Sequence, residues 1–382
     1  MKVAFLTTDN REQRGQYHLE RPYFGTAPQA LLDGFAALGD EIEVHVISCA
    51  KKRMTSPEKL ADNIWFHQPI VPHIGWGRTA FLGCVWAVRK RVKDLEPDLV
   101  HGQGTERDCA MAAVHSRYPN VVTIHGNMER IYQMGLLGAN SYYWLAAKLE
   151  THALRRTGGV FCNSRHTESL VRGRTRRTWQ VANPVRKVFL QKPRQRGAVG
   201  TRPVFLVVGV VSRLKRPLEI LQVMKTLHQA GHKFLVKFVG SHSTDHPYGA
   251  EFEELLRQAE ASGYAEYAGL LGEKDLVMAM DEADALIHFP EEEAFGLVVA
   301  ESLARGLKVF ASRIGGIPDI LANTSGSEMY DDLEGLGPGI KSWLEDGCPR
   351  PDGNEVLMCE RYSPESIGRR HIEIYSKVIP NP

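Results

Sequence analysis

Short apolar runs recur along the chain, each closed by glycine, proline or a polar cluster and each followed by a stretch with helical spacing. Residues 2–7, 42–48, 98–101, 121–124 and 159–162 read as buried strands, and residues 180–182 as an edge strand. Residues 29–38, 81–95, a segment from Arg107, and residues 142–156 read as the helices between them. Residues 8–23 read as a long polar loop. Such alternation predicts an α/β protein with a doubly wound parallel sheet. The pattern stops over residues 187–202, which are basic, lack periodicity and read as a linker. It resumes at residues 203–211 and continues with strands at 234–239, 267–271, 285–289 and 308–311, the sign of a second domain of the same kind. A helix over residues 364–378 follows.

Candidate chemistry concentrates in residues 285–321, ALIHFPEEEAFGLVVAESLARGLKVFASRIGGIPDIL. A strand closes at Pro290, an acidic loop follows, and a helix runs from Gly296 to Arg305 before Gly306 and the next strand. The loop therefore lies at the carboxyl end of a parallel strand, where open α/β sheets bind ligands. The amides of Gly296, Leu297 and Val298 point out of the helix N-terminus and favour a phosphate there. Glu301, one turn on, is placed to accept hydrogen bonds from a ribose, and Glu293 faces whatever lies beyond the phosphates. Two glutamates at this spacing also occur as a solvated loop charge and a helix-surface charge. Further upstream, Gly209 ends a strand and Lys215 follows six residues later, so a backbone that can approach a ligand precedes a cation suited to diphosphate.

The combined pattern Pro-x-x-Glu-x-Phe-Gly-Leu-Val-x-x-Glu, Ala-x-Gly-x-x-Val and Gly-Gly-Ile-Pro-Asp resembles the donor site of the retaining family 4 glycosyltransferases, glycosyl transferases group 1, with the GT-B fold. That resemblance implies two Rossmann-like doubly wound domains facing a cleft. Residues 1–188 would bind the acceptor, 189–202 would link, 203–361 would bind the nucleotide sugar, and a helix within 362–382 would cross back to the first domain. It also implies donor-binding roles for Phe295, Gly296, Leu297 and Val298, with Glu301 on the ribose and Glu293 on the sugar. Lys215 matches the family's diphosphate lysine, whereas Val210 stands where the family has arginine, leaving Arg213 or Arg216 to supply that cation. His125, at the end of a first-domain strand, matches the histidine that faces the donor sugar, and His101 a second common histidine. Gly25 is the one matched position of the family's glycine-rich loop. The implied reaction moves a sugar from a nucleotide diphosphate sugar, UDP-linked by preference, to a glycan, lipid-linked or small-molecule hydroxyl acceptor. It proceeds by same-face attack, with no cofactor and no metal. A catalytically silent nucleotide- or glycan-binding protein and a nucleotide-sugar epimerase are the competing readings.

Composition narrows the setting. With 382 residues, 43% of them hydrophobic, the chain supports two full cores. No apolar run approaches the roughly 20 residues that span a bilayer. The six cysteines show no paired spacing, which fits a cytoplasmic location. A phosphate loop of the nucleotide-triphosphatase type, a dinucleotide fingerprint and an Asp-x-Asp metal signature are all missing, and nothing points to nucleic acid. Charge is uneven: residues 1–200 hold 29 Lys and Arg against 17 Asp and Glu, leaving 18 against 28 for the remainder. That basic half raises peripheral contact with an anionic membrane, with the stretch FLGCVWAVRKRVK at residues 81–93 as a candidate, against the plainer reading of a sheet-covering helix.

Overall fold

A computed structural model describes residues 1–135, 141–191 and 202–379. The chain divides into two compact units, Met1–Pro184 with Tyr362–Pro382, and Val185–Arg361. In unit 1 the strands are β1 (Lys2–Leu6), β2 (Glu43–Ile47), β3 (Lys59–Ala61), β4 (Ile64–His67), β5 (Leu99–Gln103), β6 (Asn120–Ile124), β7 (Val160–Cys162) and β8 (Thr178–Gln180). Their order in the sheet is β3-β4-β2-β1-β5-β6-β7-β8, parallel except for the antiparallel β3–β4 pair. Central strands are buried on both faces, which is why they read as near-continuous apolar runs. Val3 and Phe5 face a core built with the helices Thr26–Ala37 and Pro364–Val378, while Ala4 and Leu6 face another built with the helix Leu82–Leu95.

Unit 2 holds β9 (Val204–Val208), β10 (Leu235–Val239), β11 (Ala265–Gly269), β12 (Ala285–His288), β13 (Lys308–Ser312) and β14 (Glu328–Tyr330). All pair in parallel, in the order β11-β10-β9-β12-β13-β14. In each sheet the strand order reverses at one central strand, β1 between β2 and β5, and β9 between β10 and β12. Loops leaving the carboxyl ends of these strands therefore diverge and open a crevice.

Several sequence expectations shift. The polar loop over residues 8–23 contains a short helix, Asn10–Arg14, capped by Asp9. It buries Arg11 completely, where the guanidinium donates to Asp9, to the carbonyls of Leu19 and Thr55, and to the Ser56 hydroxyl. The helix over 29–38 begins earlier, at Thr26, with Gly25 as its N-cap residue. The edge strand expected at 180–182 lies at Thr178–Gln180, paired with β7. Residues 185–190, expected in the first domain and its linker, belong to unit 2. The turn Lys187–Leu190 packs on the helices Glu273–Glu282 and Leu297–Ala304, with Phe189 buried. Most of the expected linker, residues 192–201, lies outside the described residues. The terminal helix Pro364–Val378 packs on Thr26–Ala37, within unit 1.

Candidate functional site

Two polar constellations lie at carboxyl ends of central strands, one in each unit. In unit 2, β12 ends at His288 and the acidic loop turns back toward the residues that follow β9. Two glycines set that loop. Gly296, N-cap of the helix Leu297–Ala304, has φ 100°, open to glycine but costly for an L side chain. Gly315 lies so close to the loop that a Cβ would sit 1.8 Å from the Glu293 carbonyl oxygen, which accepts from the Gly316 amide at 3.0 Å.

Glu293 Oε2 accepts from Lys215 Nζ at 2.6 Å and from His288 Nε2 at 3.0 Å. Burial alone would raise the Glu293 pKa, but the Lys215 ammonium and the His288 hydrogen bond outweigh it and hold the carboxyl well below its usual range. Burial lowers the pKa of His288, so the neutral ring donates through Nε2. The cluster thus carries one fixed anion and one fixed cation, with a small cleft beside it lined by Gly209, Val210, Lys215 and His288. Arg216 reaches Glu291 at 3.2 Å, and Arg213 is exposed.

Glu301 is 2% exposed and lies on a helix buried along most of its length. Its two oxygens accept from Arg186 Nε at 2.7 Å and Nη2 at 2.9 Å, a bidentate pair that Glu273 extends at 3.4 Å. Burial raises the Glu301 pKa despite Arg186. Any ribose bound at Glu301 would share the carboxylate with Arg186 or replace it. Phe295 is buried, and Leu297 and Val298 form the half-buried first turn of the helix, whose N-terminus carries no side-chain cap. The structure therefore brings Lys215, Gly209 and Glu293 together, and sets Glu301 into an arginine pair.

In unit 1, a hydrogen-bonded file runs from His125 into the core. His125 Nε2 donates to Gln103 Oε1 at 3.0 Å, and Gln103 Nε2 donates to His101 Nε2 at 3.0 Å. His101 Nδ1 donates in turn to the Tyr375 hydroxyl at 2.6 Å, and Thr123 Oγ1 lies 2.7 Å from Nε2. Burial strips these rings of charge: it lowers the pKa of His125 to about 4, and it lowers that of His101 as well, aided by His371. Half-buried His125 is thus a neutral hydrogen-bonding group at the end of β6. Gly25 sits at another carboxyl-end helix start in the same unit.

Sequence reasoning missed Arg186, His288, Gln103 and Tyr375. One cue was available for His288, a histidine inside an otherwise apolar strand. Three further groups, Cys49, Cys84 and Asp108, bring potential metal-ligand atoms within 4.8 Å of one another, although nothing in their spacing announced it. A hydrogen bond to Cys84, together with burial, raises the Cys49 pKa, and burial raises that of Asp108, so the site disfavours the charged forms that would ligate a metal.

Two sheets with reversal points, each carrying polar groups at its carboxyl edge, define a two-domain, doubly wound α/β class of protein with a ligand crevice at each reversal. Family models place the chain within it. Glycosyltransferase Family 4 matches residues 29–185 and Glycosyl transferases group 1 matches residues 189–354; the chain belongs to this glycosyltransferase family. It is similar to the sulfoquinovosyl transferase SQD2 of Arabidopsis thaliana, 34% identical over 121 residues, 31% of this chain and 21% of that protein. It is also similar to the D-inositol 3-phosphate glycosyltransferase of Corynebacterium urealyticum, 26% identical over 180 residues, 44% of this chain and 41% of that one. These matches thus span less than half the length of either relative. Among solved structures, sucrose-phosphate synthase from Thermosynechococcus elongatus superposes with a TM-score of 0.78 at 16% identity, covering 99% of both chains. Anabaena HepE in complex with UDP-glucose gives 0.68 at 18% identity, covering 99% of this chain and 100% of that one. The fold is GT-B.

Proposed function

We propose that the protein transfers a sugar from a nucleotide diphosphate sugar, UDP-linked by preference, to a hydroxyl acceptor with retention at the anomeric carbon. The observation that carries this reading is the Lys215–Glu293–His288 cluster beside an uncapped helix N-terminus. Lys215 and the amides of Gly296, Leu297 and Val298 stabilise negative charge on the departing diphosphate, which grows as the C1–phosphate bond breaks. Glu293, kept ionised, accepts hydrogen bonds from donor sugar hydroxyls, and Glu301 takes the ribose in place of, or together with, Arg186. Neutral His125 bonds a sugar hydroxyl. Acceptor oxygen attacks C1 on the face the diphosphate leaves, and a phosphate oxygen takes the acceptor proton, so no protein nucleophile and no metal are needed. HepE bound to UDP-glucose supports a UDP-sugar donor, and the sugar-transferring relatives support sugar transfer. A glycan or lipid-linked acceptor in polysaccharide or lipopolysaccharide synthesis within the cytoplasm fits this chemistry.

The test incubates the protein with UDP-glucose, UDP-galactose and the GDP and ADP analogues, with and without EDTA, and follows nucleotide release and product anomer by NMR. Release of UDP in EDTA with an anomer matching the donor is the expected result. A silent binding protein would bind UDP without releasing it from any donor, and an epimerase would interconvert UDP-glucose and UDP-galactose.

A further inference from the structure

The helix Leu82–Leu95 covers one face of the unit 1 sheet with Cys84, Val85, Val88 and Val92. Its opposite face is not the polar surface that such a helix normally shows. Leu82 is 63% exposed and Trp86, one turn on, 68% exposed. The same stripe continues through Arg89, Lys90 and Lys93. Ile74, 72% exposed, stands in the turn His73–Gly75, which packs against this helix. Beside the stripe opens a cleft of about 710 Å³ lined by Trp86, Arg89, Lys90, Lys93, Arg117 and Tyr118, with no acidic side chain. Lys90 lies 6.0 Å from the Trp86 ring centroid. Large aliphatic and indole groups at one end and unneutralised cations along the rest form the pattern of a helix that lies in a membrane interface.

We propose that this face docks the protein on a bilayer surface rich in anionic phospholipid. Ile74, Leu82 and Trp86 enter the headgroup boundary, and Arg89, Lys90, Lys93 and Arg117 meet lipid phosphates. Nucleic acid would use the same cations and stack on Trp86, but it would leave exposed Ile74 and Leu82 in water, whereas a bilayer removes them from it. The helix precedes β5 and runs antiparallel to it, so Leu82 lies toward the carboxyl ends of the unit 1 strands. Docking there brings that edge near a lipid-borne hydroxyl. This last consequence rests on the sugar-transfer reading; the docking itself does not.

The test is flotation of the full chain with vesicles of phosphatidylcholine alone and of equal parts phosphatidylcholine and phosphatidylglycerol. Binding to the mixed vesicles only is expected, with release at about 1 M salt, where screening shortens to about 3 Å. Lys90→Glu with Lys93→Glu should weaken binding by roughly a hundredfold or more, since each cation near such a surface contributes about fivefold. Leu82→Ser with Trp86→Ser should weaken it by at least about tenfold and abolish a vesicle-induced blue shift of tryptophan emission. All four positions are exposed, so circular dichroism and melting should match wild type. Equal binding to both vesicle types, insensitivity to the charge reversals, or tighter retention on single-stranded RNA than on vesicles overturns the proposal. UDP-glucose hydrolysis without vesicles is measured alongside: a protein that docks but releases no UDP defeats the sugar-transfer reading alone, and one that releases UDP but does not float defeats the docking alone.

Discussion

The two units solve the same topological problem with opposite electrostatics. Each places polar groups at the carboxyl end of its central strands, but the unit 2 constellation is built on ion pairs and the unit 1 file on neutral rings, with the Asp9–Arg11 pair after β1 standing apart from that file. In unit 2 Lys215 holds Glu293 ionised and Arg186 grips Glu301. In unit 1 burial keeps His101, His125 and His371 uncharged; hydrogen bonds link His125 to His101 through Gln103 and His101 to Tyr375, while His371 donates to the Ile367 carbonyl. Fixed charges suit a ligand that is charged and becomes more so as its bond breaks; a neutral file suits hydroxyls, which are read by direction and not by charge. On the proposed sugar-transfer reading, the fixed charges of unit 2 would serve the diphosphate, with Glu293 and Glu301 taking sugar and ribose hydroxyls, and the neutral file of unit 1 would serve a hydroxyl alone.

The strongest way to break that contrast is to remove a charge from unit 2. Arg186→Ala leaves Glu301 buried without its partner, and breaking such a pair typically costs about 3–5 kcal/mol. A large drop in the urea unfolding midpoint is expected, smaller in Arg186→Ala with Glu301→Gln, where no orphaned carboxylate remains. Equal losses in the single and double variants would make the pair an incidental contact.

Lys215→Ala comes next. If the cation acts on the leaving diphosphate, turnover should fall by somewhat over a hundredfold, about 3 kcal/mol, with a smaller change in donor binding. Introducing Val210→Arg in that background should recover part of the loss. Near-normal turnover would shift the role to Arg213 or Arg216.

Unit 1 yields to milder perturbation. Tyr375→Phe strips His101 Nδ1 of its acceptor and should destabilise by about 1–3 kcal/mol in urea titration. Because the same file orients His125, transfer activity should fall while UDP affinity stays unchanged. A fall in both would show that the two sites are not chemically separate.

The most gradual effect is pH dependence. Native His125 and His371 stay neutral down to about 4, whereas unfolded histidine protonates near 6.5. Unfolding therefore takes up protons between these values. Stability should be flat above about 6.5 and fall as pH drops toward 4, by at most about 1.4 kcal/mol per pH unit for each histidine. Chemical unfolding at stepped pH, repeated with His371→Gln, isolates one contribution; an unchanged slope in the variant would mean that His371 already protonates in the native state.

What the chain disclosed in advance follows from the range of the forces involved. Parallel strands buried on both faces announce themselves locally, so β1, β5, β6, β12 and β13 were legible within a residue or two, while β9 ends at Val208, three residues before its expected end. Edge strands β3 and β14, and β4 beside β3, were not, because they are short and half-buried, so polar residues interrupt the apolar run. The strand expected at 267–271 ends at Gly269, whose φ of 70° breaks the extended conformation. The Glu293–Glu301 pattern and Lys215 were readable as motif positions. Their partners were less so. Arg186 meets Glu301 across 115 residues of sequence, and Tyr375 meets His101 across 274, distances over which no periodicity operates. Arg11, a charge sealed in unit 1 by its own capping aspartate, looked like any loop arginine.

One measurement tests the division of labour directly: calorimetric titration of UDP against wild type, Glu301→Gln and His125→Ala. A carboxylate meeting both ribose hydroxyls contributes about 1.5–3 kcal/mol, so Glu301→Gln should weaken UDP binding by roughly 10- to 150-fold. His125→Ala should leave the UDP dissociation constant within about twofold of wild type while lowering sugar transfer. An unchanged constant in Glu301→Gln, or a loss in His125→Ala as large as that in Glu301→Gln, would contradict the proposed assignment of nucleotide binding to the charged groups of unit 2 and not to the neutral file of unit 1.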